Sequence, residues 1–335
     1  MNRRTFIKRS SLATAAVTTG IHTSLFARDN RLRIGLIGSG GYGMVIARAA
    51  RGGSDVEVIA GQECAIVAQD AGVEKIGTGY TFTEGPAVAK DGSVFFTDQP
   101  NDRIYRWDEK EGISLWMAGT ERSNGMCFNN DDQLVTCADK HNRIILIDSN
   151  KEVKVLFEDF EGKHLNGPND LWIAPSGDIY FTDAYYHRDY WAEGHSEIQE
   201  ARGVYRLTPG GVATRVIDDY KQPNGIIGTP DGKWLYVADI ADRRIWRYEI
   251  LPDGSLDNKT FFAPHGSDGM TIDSRGNIYL TMGKVWVYSS AGELICEIDL
   301  PESPSNLCFG GEERDILFIT ARTSVYTLRM NVKGV

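Results

Sequence analysis

The feature that most constrains this chain is a texture that returns six times. The stretches SVFFTDQPNDRIYRWD (93–108), QLVTCADKHNRIILID (133–148), DIYFTDAYYHRDYW (178–191, continued by GVYRLTPGG at 203–211), KWLYVADIADRRIWRYEI (233–250), NIYLTMGKVWVYSS (277–290) and DILFITARTSVYTLRM (315–330) each alternate apolar and polar residues on both sides of a polar turn. Period-two patterning marks a strand in a sheet with two distinct faces. Ahead of each pair lies another short strand with a polar residue at its head: Glu84, Asn124, Asn169, Asn224, Asp268 and Asn306. Their separations are 40, 45, 55, 44 and 38 residues. In most copies a tight turn opens seven residues after the head, at Asp91–Gly92, Ser176–Gly177, Asp231–Gly232 and Arg275–Gly276. Six units of about 40–50 residues, each a small sheet, predict an all-β chain folded as a six-bladed β-propeller. A single blade cannot cover both of its faces, and stacking in a ring supplies the missing cover and protects the edges.

The ring gives the heads a common destination. The innermost strand of each blade lines the central channel, so its first residues gather near one mouth. The longest interval, Asn169 to Asn224, contains the excursion AYYHRDYWAEGHSEIQEARG (184–203), which is expected to hang over that mouth and shape a pocket. All six heads carry oxygen ligands, two carboxylates and four carboxamides. That mixture suits one hard divalent cation such as Ca²⁺, with waters completing the shell. Without a cation, Glu84 and Asp268 facing each other would repel, and one would hold a proton. Zinc is less natural, because no paired His or Cys joins the set. The competing reading, that Asn-Gly and Asp-Gly are only turn dipeptides, does not account for their shared position in the repeat.

Charge narrows the partners. Lys and Arg total 36 against 46 Asp and Glu, a formal charge of -10. A nucleic-acid binder needs a basic face to replace counterions, so that class is excluded, whereas a small anionic substrate is not.

The first 30 residues, MNRRTFIKRSSLATAAVTTGIHTSLFARDN, have a basic head (Arg3, Arg4, Lys8 and Arg9) and a mild Ala/Thr-rich stretch ending near Ala27. This is the pattern of an export signal, too short and too polar for a membrane span. The RRTFIK run resembles the twin-arginine signal, which implies the twin-arginine export machinery as a partner, cleavage near Ala27 and a periplasmic product without a stable span. Residues 31–76 are expected as a separate fragment. Their LRIGLIGSGGYGMVIARAARGGSDVEVIA reads as strand, glycine turn, helix and strand, with Gly38, Gly40 and Gly43 in a GxGxxG pattern. The fragment resembles the opening of the glucose–fructose oxidoreductase family. Yet a dinucleotide site needs a wider sheet, and from residue 77 to 335 the chain follows the propeller rule, so no nucleotide cofactor is expected. Of five cysteines, Cys127, Cys137, Cys296 and Cys308 lie in or beside apolar runs and read as buried thiols.

The motifs FTEGPA (82–87), RSNGMCF (122–128), FEGKHLNGPNDLWIAPSGDIYFTD (160–183), PNGIIGTPDGKWLYVAD (223–239), SDGMTIDSRGNIYLT (267–281) and SPSNLCFGG (303–311) resemble those of the SMP-30/gluconolactonase/LRE-like family. The resemblance implies a propeller holding one divalent cation, usually Ca²⁺ and sometimes Zn²⁺ or Mn²⁺. Glu84, Asn224 and Asp268 would ligate it, and Asn169 would complete or border that shell and face substrate. Asn124 would be a pocket-side residue. The implied activity is hydrolysis of a sugar lactone. The cation would polarise the carbonyl, and Asp268 would orient or deprotonate the attacking water. No GxSxG elbow suggests an acyl-enzyme. Arg122, His141, His164, Tyr185 and His187 are candidates for contacting sugar hydroxyls. Where close relatives often carry a proline-rich turn, this chain reads AYYHRDYW, which leaves the substrate open. Two other functions fit the same residues: hydrolysis of another ester or organophosphate, and a non-catalytic ligand-binding propeller.

Overall fold

The computed structural model describes residues 64–191 and 196–335, preceded by strand segments at 22–28, 31–37, 44–49 and 56–59. The chain divides into two units, Met1–Ala65 and Ile66–Val335.

In the second unit the described residues form six four-stranded antiparallel sheets, five of them built from four strands consecutive in the chain. Their inner strands are Thr83–Val88, Ser123–Phe128, Pro168–Ile173, Pro223–Gly228, Met270–Ile272 and Asn306–Gly310, here blades 1 to 6. Each inner strand touches the next, and blade 6 returns to blade 1, so the ring closes. The six-bladed propeller expected from the repeat is the observed fold. Alternation explains where the core sits: apolar side chains on both faces of each sheet pack against the neighbouring sheet. Phe95, Ile104, Leu134 and Ile145 fill the space between blades 1 and 2. Leu171, Phe181 and Tyr205 meet Val135 and Ile144 between blades 2 and 3. Val94, Phe96, Trp107 and Phe318 seal blade 6 against blade 1.

Blade 6 takes its outermost strand from the start of the unit. Glu74–Thr78 pairs antiparallel with Ser324–Arg329. The domain boundary expected between 76 and 77 therefore falls inside a propeller strand. The strand is short and mostly exposed, so it carries little apolar pattern from which to read it.

The first unit differs from expectation. Its segments His22–Arg28, Arg31–Ile37, Met44–Ala49 and Val56–Ile59 are four strands of one antiparallel sheet, paired in chain order. Met44–Ala49, expected as a helix, is a strand. Short apolar runs are ambiguous between the two, and this one holds β-branched Val45 and Ile46. An antiparallel meander also satisfies every inner strand with its immediate neighbours, whereas a lone βαβ unit needs a wider sheet. The basic head of the export signal and the glycine turn at 38–43 lie outside the described residues. The cleavage expected after Ala27 falls within the first of these strands.

Cys127, Cys137 and Cys308 are free thiols, as expected. Cys296, expected as a fourth, is disulfide-bonded, as is Cys64.

Candidate functional site

Five of the six polar heads lie within strands, and Asp268 lies in a bend just ahead of one. In four blades the inner strand slips register at the head, between Glu84 and Ala87, Ser123 and Met126, Pro168 and Leu171, and Pro223 and Ile226. Such bulges bend a strand and re-aim its side chains. In blade 5 Asp268 precedes the strand, its amide donating to the Thr281 carbonyl at 3.0 Å. In blade 6 Asn306 stays in regular register with Thr320. A buried threonine on the second strand pins several of these segments. Thr182 accepts from the Asp170 amide (3.1 Å), Thr281 from the Gly269 amide (2.8 Å) and Thr320 from the Asn306 amide (3.0 Å).

The glycine after a head lets adjacent inner strands close in. Gly85 has φ +50°, and a Cβ there would lie 1.9 Å from the Asn124 carbonyl oxygen. A Cβ on Gly125 would lie 2.4 Å from Asp170 Oδ1. The repeat thus brings neighbouring heads together through backbone that has no room for a side chain.

At the centre, Asn224 is 1% exposed and its Nδ2 donates to Asp268 Oδ1 at 2.9 Å and to the Tyr186 hydroxyl at 2.8 Å. Its Oδ1 is buried with no hydrogen-bond partner. An orphaned buried amide oxygen costs about 1–3 kcal/mol unless something pairs with it. Glu84 is buried beside these groups, its Oε2 accepting from the Gly85 amide. Burial, then the fields of Asp268 and Asp170, push the Glu84 carboxyl well above its ordinary range. Burial likewise raises Asp268, against the hydrogen bond from Asn224 and the charges of Arg322 and Arg188, which lower it. Asp170 is pushed up to about 7 by burial, opposed by hydrogen bonds from the Leu171 amide and Asn306. The carboxyl oxygens of buried Glu84 and half-buried Asp268, with the unpartnered Asn224 amide oxygen, are hard donors of the kind a divalent cation such as Ca²⁺ takes. The donors are mixed, and among the described residues no three His, Cys, Asp or Glu side chains form a metal-holding cluster.

Of the other expected residues, Asn124 and Asn169 are buried at their heads. Arg122 stacks on Tyr190, its guanidinium carbon 3.9 Å from the ring centroid, and bonds the Pro100 carbonyl. Tyr185 packs against Trp191 with the rings tilted by 38° and their centroids 5.9 Å apart. The histidines are not brought to the cluster. His187 is 68% exposed and 4.0 Å from Asp189, His164 pairs with Asp159 at 2.5 Å on the surface, and His141 is exposed on a turn.

Sequence reasoning missed Tyr186, Arg188, Asp170 and Arg322. The Tyr186 hydroxyl is pushed up to about 12 by burial and by Asp268, so it stays protonated at neutral pH. Asp170 had a legible signal: it stands immediately after its head, where Gly85, Gly125, Gly225 and Gly269 stand in four other blades.

Beyond the head cluster, Asp139 Oδ2 is surrounded by donors. It accepts from Gln99 Nε2 at 2.6 Å, Arg188 Nε at 2.7 Å and the Tyr190 hydroxyl. Burial raises the Asp139 carboxyl and these three partners pull it back.

Residues 82–323 match the family model described as the SMP-30/gluconolactonase/LRE-like region. A gluconolactonase of Zymomonas mobilis is 29% identical over 293 residues, covering 78% of this chain and 82% of that protein. The pentonolactonase XacC of Haloferax volcanii is 24% identical over 249 residues, covering 71% and 80%. The solved structure of XC5397 from Xanthomonas campestris, described as a gluconolactonase important in glucose secondary metabolic pathways, superposes with a TM-score of 0.74 at 28% identity. It covers 80% of this chain and 91% of that one.

Proposed function

The chain belongs to the SMP-30/gluconolactonase/LRE-like family, and from that premise we propose that it hydrolyses a sugar lactone to the aldonic acid at the channel mouth. Glu84, Asn224 and Asp268 would hold one divalent cation, Ca²⁺ before Zn²⁺ or Mn²⁺, with Asn169 completing or bordering the shell. Once held there, such a cation would polarise the lactone carbonyl and stabilise the charge that develops on its oxygen. The observation that carries the reading is Asn224: its nitrogen ties Asp268 and Tyr186 together while its oxygen is buried without a partner.

The chain's own groups divide the work. Asp268 takes the proton from the attacking water, and the Asn224 amide fixes the orientation of its carboxylate. Asn124, Asn169 and Arg122 orient the sugar ring and its hydroxyls. Tyr186, protonated at neutral pH, presents a hydroxyl beside the same carboxylate. His187, the remaining candidate for a substrate contact, is exposed on the same segment, 4.0 Å from Asp189.

The test is a pH-stat screen of five- and six-carbon lactones with metal-stripped protein, adding divalent cations back one at a time and subtracting spontaneous hydrolysis. The reading expects turnover that appears with one cation and disappears on chelation. A stripped protein that turns over lactones at full rate would rule it out. The RRTFIK segment supports export to the periplasm by the twin-arginine machinery. Among the described residues no helix is long and apolar enough to cross a membrane.

A further inference from the structure

The repeat contains one residue whose role departs from that of its counterparts. In each of the first four blades an aspartate closes the second strand, as its last residue at Asp98, Asp183 and Asp239 and just past Ala138 at Asp139. Three of these use the carboxylate to tie down the loop leading into their own blade's inner strand. Asp98 accepts from the Thr81 and Phe82 amides, at 3.0 and 3.1 Å. Asp183 accepts from Asn166 and Gly167, at 3.0 and 2.8 Å, and Asp239 from Lys221 and Gln222, at 2.9 and 3.1 Å.

In blade 2 that task has moved. The corresponding loop is held by Asp102, which accepts from the Thr120 amide at 2.8 Å and the Arg122 amide at 2.7 Å. The Asp139 carboxylate is thereby released, yet its side chain is only 3% exposed. It is satisfied instead by Gln99 from blade 1 and by Arg188 and Tyr190 from the 184–191 excursion of blade 3. The Asp139 carbonyl adds a fourth tie, accepting from Trp191 Nε1 at 2.9 Å. Tyr190 also bonds Gln99, at 2.8 Å.

What this excursion carries gives the anchor its consequence. Two residues before Arg188, Tyr186 reaches the Asn224 amide. Tyr190 supplies the ring on which Arg122 lies. One carboxylate therefore fixes a segment that touches the central cluster at one point and a guanidinium of the mouth at another.

We propose that Asp139 is a positioning residue, which anchors the 184–191 segment across blades 1 to 3 and thereby sets how substrate is held over the Asn224–Asp268 pair. The inference rests on the lactonase reading for its kinetic consequence, while the anchoring itself does not. Removing the anchor loosens the segment without altering the oxygens of the central cluster. Substrate binding and selectivity then change more than the chemical step.

The experiment compares Asp139→Asn and Tyr190→Phe with the unaltered full chain. Lactone kinetics, Ca²⁺ titration calorimetry and hydrogen exchange of 184–191 are read on each. For Asp139→Asn the proposal expects KM to rise about tenfold or more, kcat to stay within about threefold and Ca²⁺ affinity to stay within about twofold. It also expects faster exchange of 184–191 and an altered ratio of kcat/KM between five- and six-carbon lactones. Tyr190→Phe, which keeps the ring under Arg122, should recover most of the KM. Unchanged exchange in Asp139→Asn would overturn the proposal whatever the activity. A fall in kcat at constant KM would overturn it too, since that places Asp139 in the chemical step. If the unaltered protein turns over no lactone, the lactonase reading fails, and the exchange measurement still decides the anchor.

Discussion

Asp268 and Gly85 illustrate two ways in which a single side chain matters here. Asp268 accepts a hydrogen bond from Asn224, its charge raises the Glu84 carboxyl, and the charges of Arg322 and Arg188 act on it in turn. Asp268→Asn keeps the shape and removes the base, so lactone turnover should fall about 10²- to 10⁴-fold, the usual worth of a general base. Steady-state kinetics at saturating cation would check it, and a loss under threefold would assign the proton to another group. Gly85 acts through what it lacks. With φ +50° and a Cβ position 1.9 Å from backbone, Gly85→Ala should lower stability by about 3 kcal/mol or more, from strain and overpacking together. A urea melt would show it, and a change under about 1 kcal/mol would mean that the inner strands can separate freely. The six heads were legible because each stands at the same place in its unit, ahead of the hairpin. Their gathering at one mouth was expected from the ring, whereas the register slip at four of them was not, because a bulge leaves no mark in composition. Asp170 was legible in principle, as an aspartate at a position that four other blades give to glycine.

At the scale of the element, the hairpins could be read because alternation and turn residues agree. The excursion could be located but not interpreted. It has no period, and the roles of Tyr186, Arg188 and Tyr190 come from partners 38, 49 and 51 residues distant. The helix expected over Met44–Ala49 failed for the opposite reason: a motif outweighed a six-residue run that fits either state. The closing hairpin of blade 6 offers a test through pH. Glu302 is drawn upward by partial burial, but hydrogen bonds from Ser324, Tyr326, Lys75 and Thr323 together outweigh this and leave its pKa at about 2, below the ordinary 4.5. A depressed acid pKa stabilises the fold above pH 4.5, and the contribution is lost as pH falls toward 2. Glu302→Gln should therefore destabilise by about 1–3 kcal/mol at pH 7, and its difference from the parent chain should shrink between pH 4.5 and 2. A difference that stays constant over that window would show that the charge on Glu302 is not what matters.

For the whole molecule, ring closure depends on a strand borrowed from the beginning of the second unit. Glu74–Thr78 contributes few buried side chains, yet it completes blade 6 by pairing with Ser324–Arg329. Replacing Ile76 and Gly77 with proline removes two strand amides. It should lower the melting temperature by several degrees and speed exchange in Ser324–Arg329, more than in any other third strand. Equal exchange across all six blades would show that the ring holds without this closure. The export proposed from the paired Arg3 and Arg4 has its own test. Replacing both with lysine should trap the protein in the cytoplasm, as fractionation would reveal, and undiminished export would point to another route.

In the proposed site the carboxylates of Glu84 and Asp268 and the carboxamide of Asn224, from three separate blades, would clasp one cation. Calorimetric titration of Ca²⁺ into metal-stripped protein tests it most directly, with Glu84→Gln and Asn224→Ala run alongside. The account predicts one site per chain, weakened at least tenfold by either substitution. Binding of no divalent cation, or binding that neither substitution alters, would contradict it.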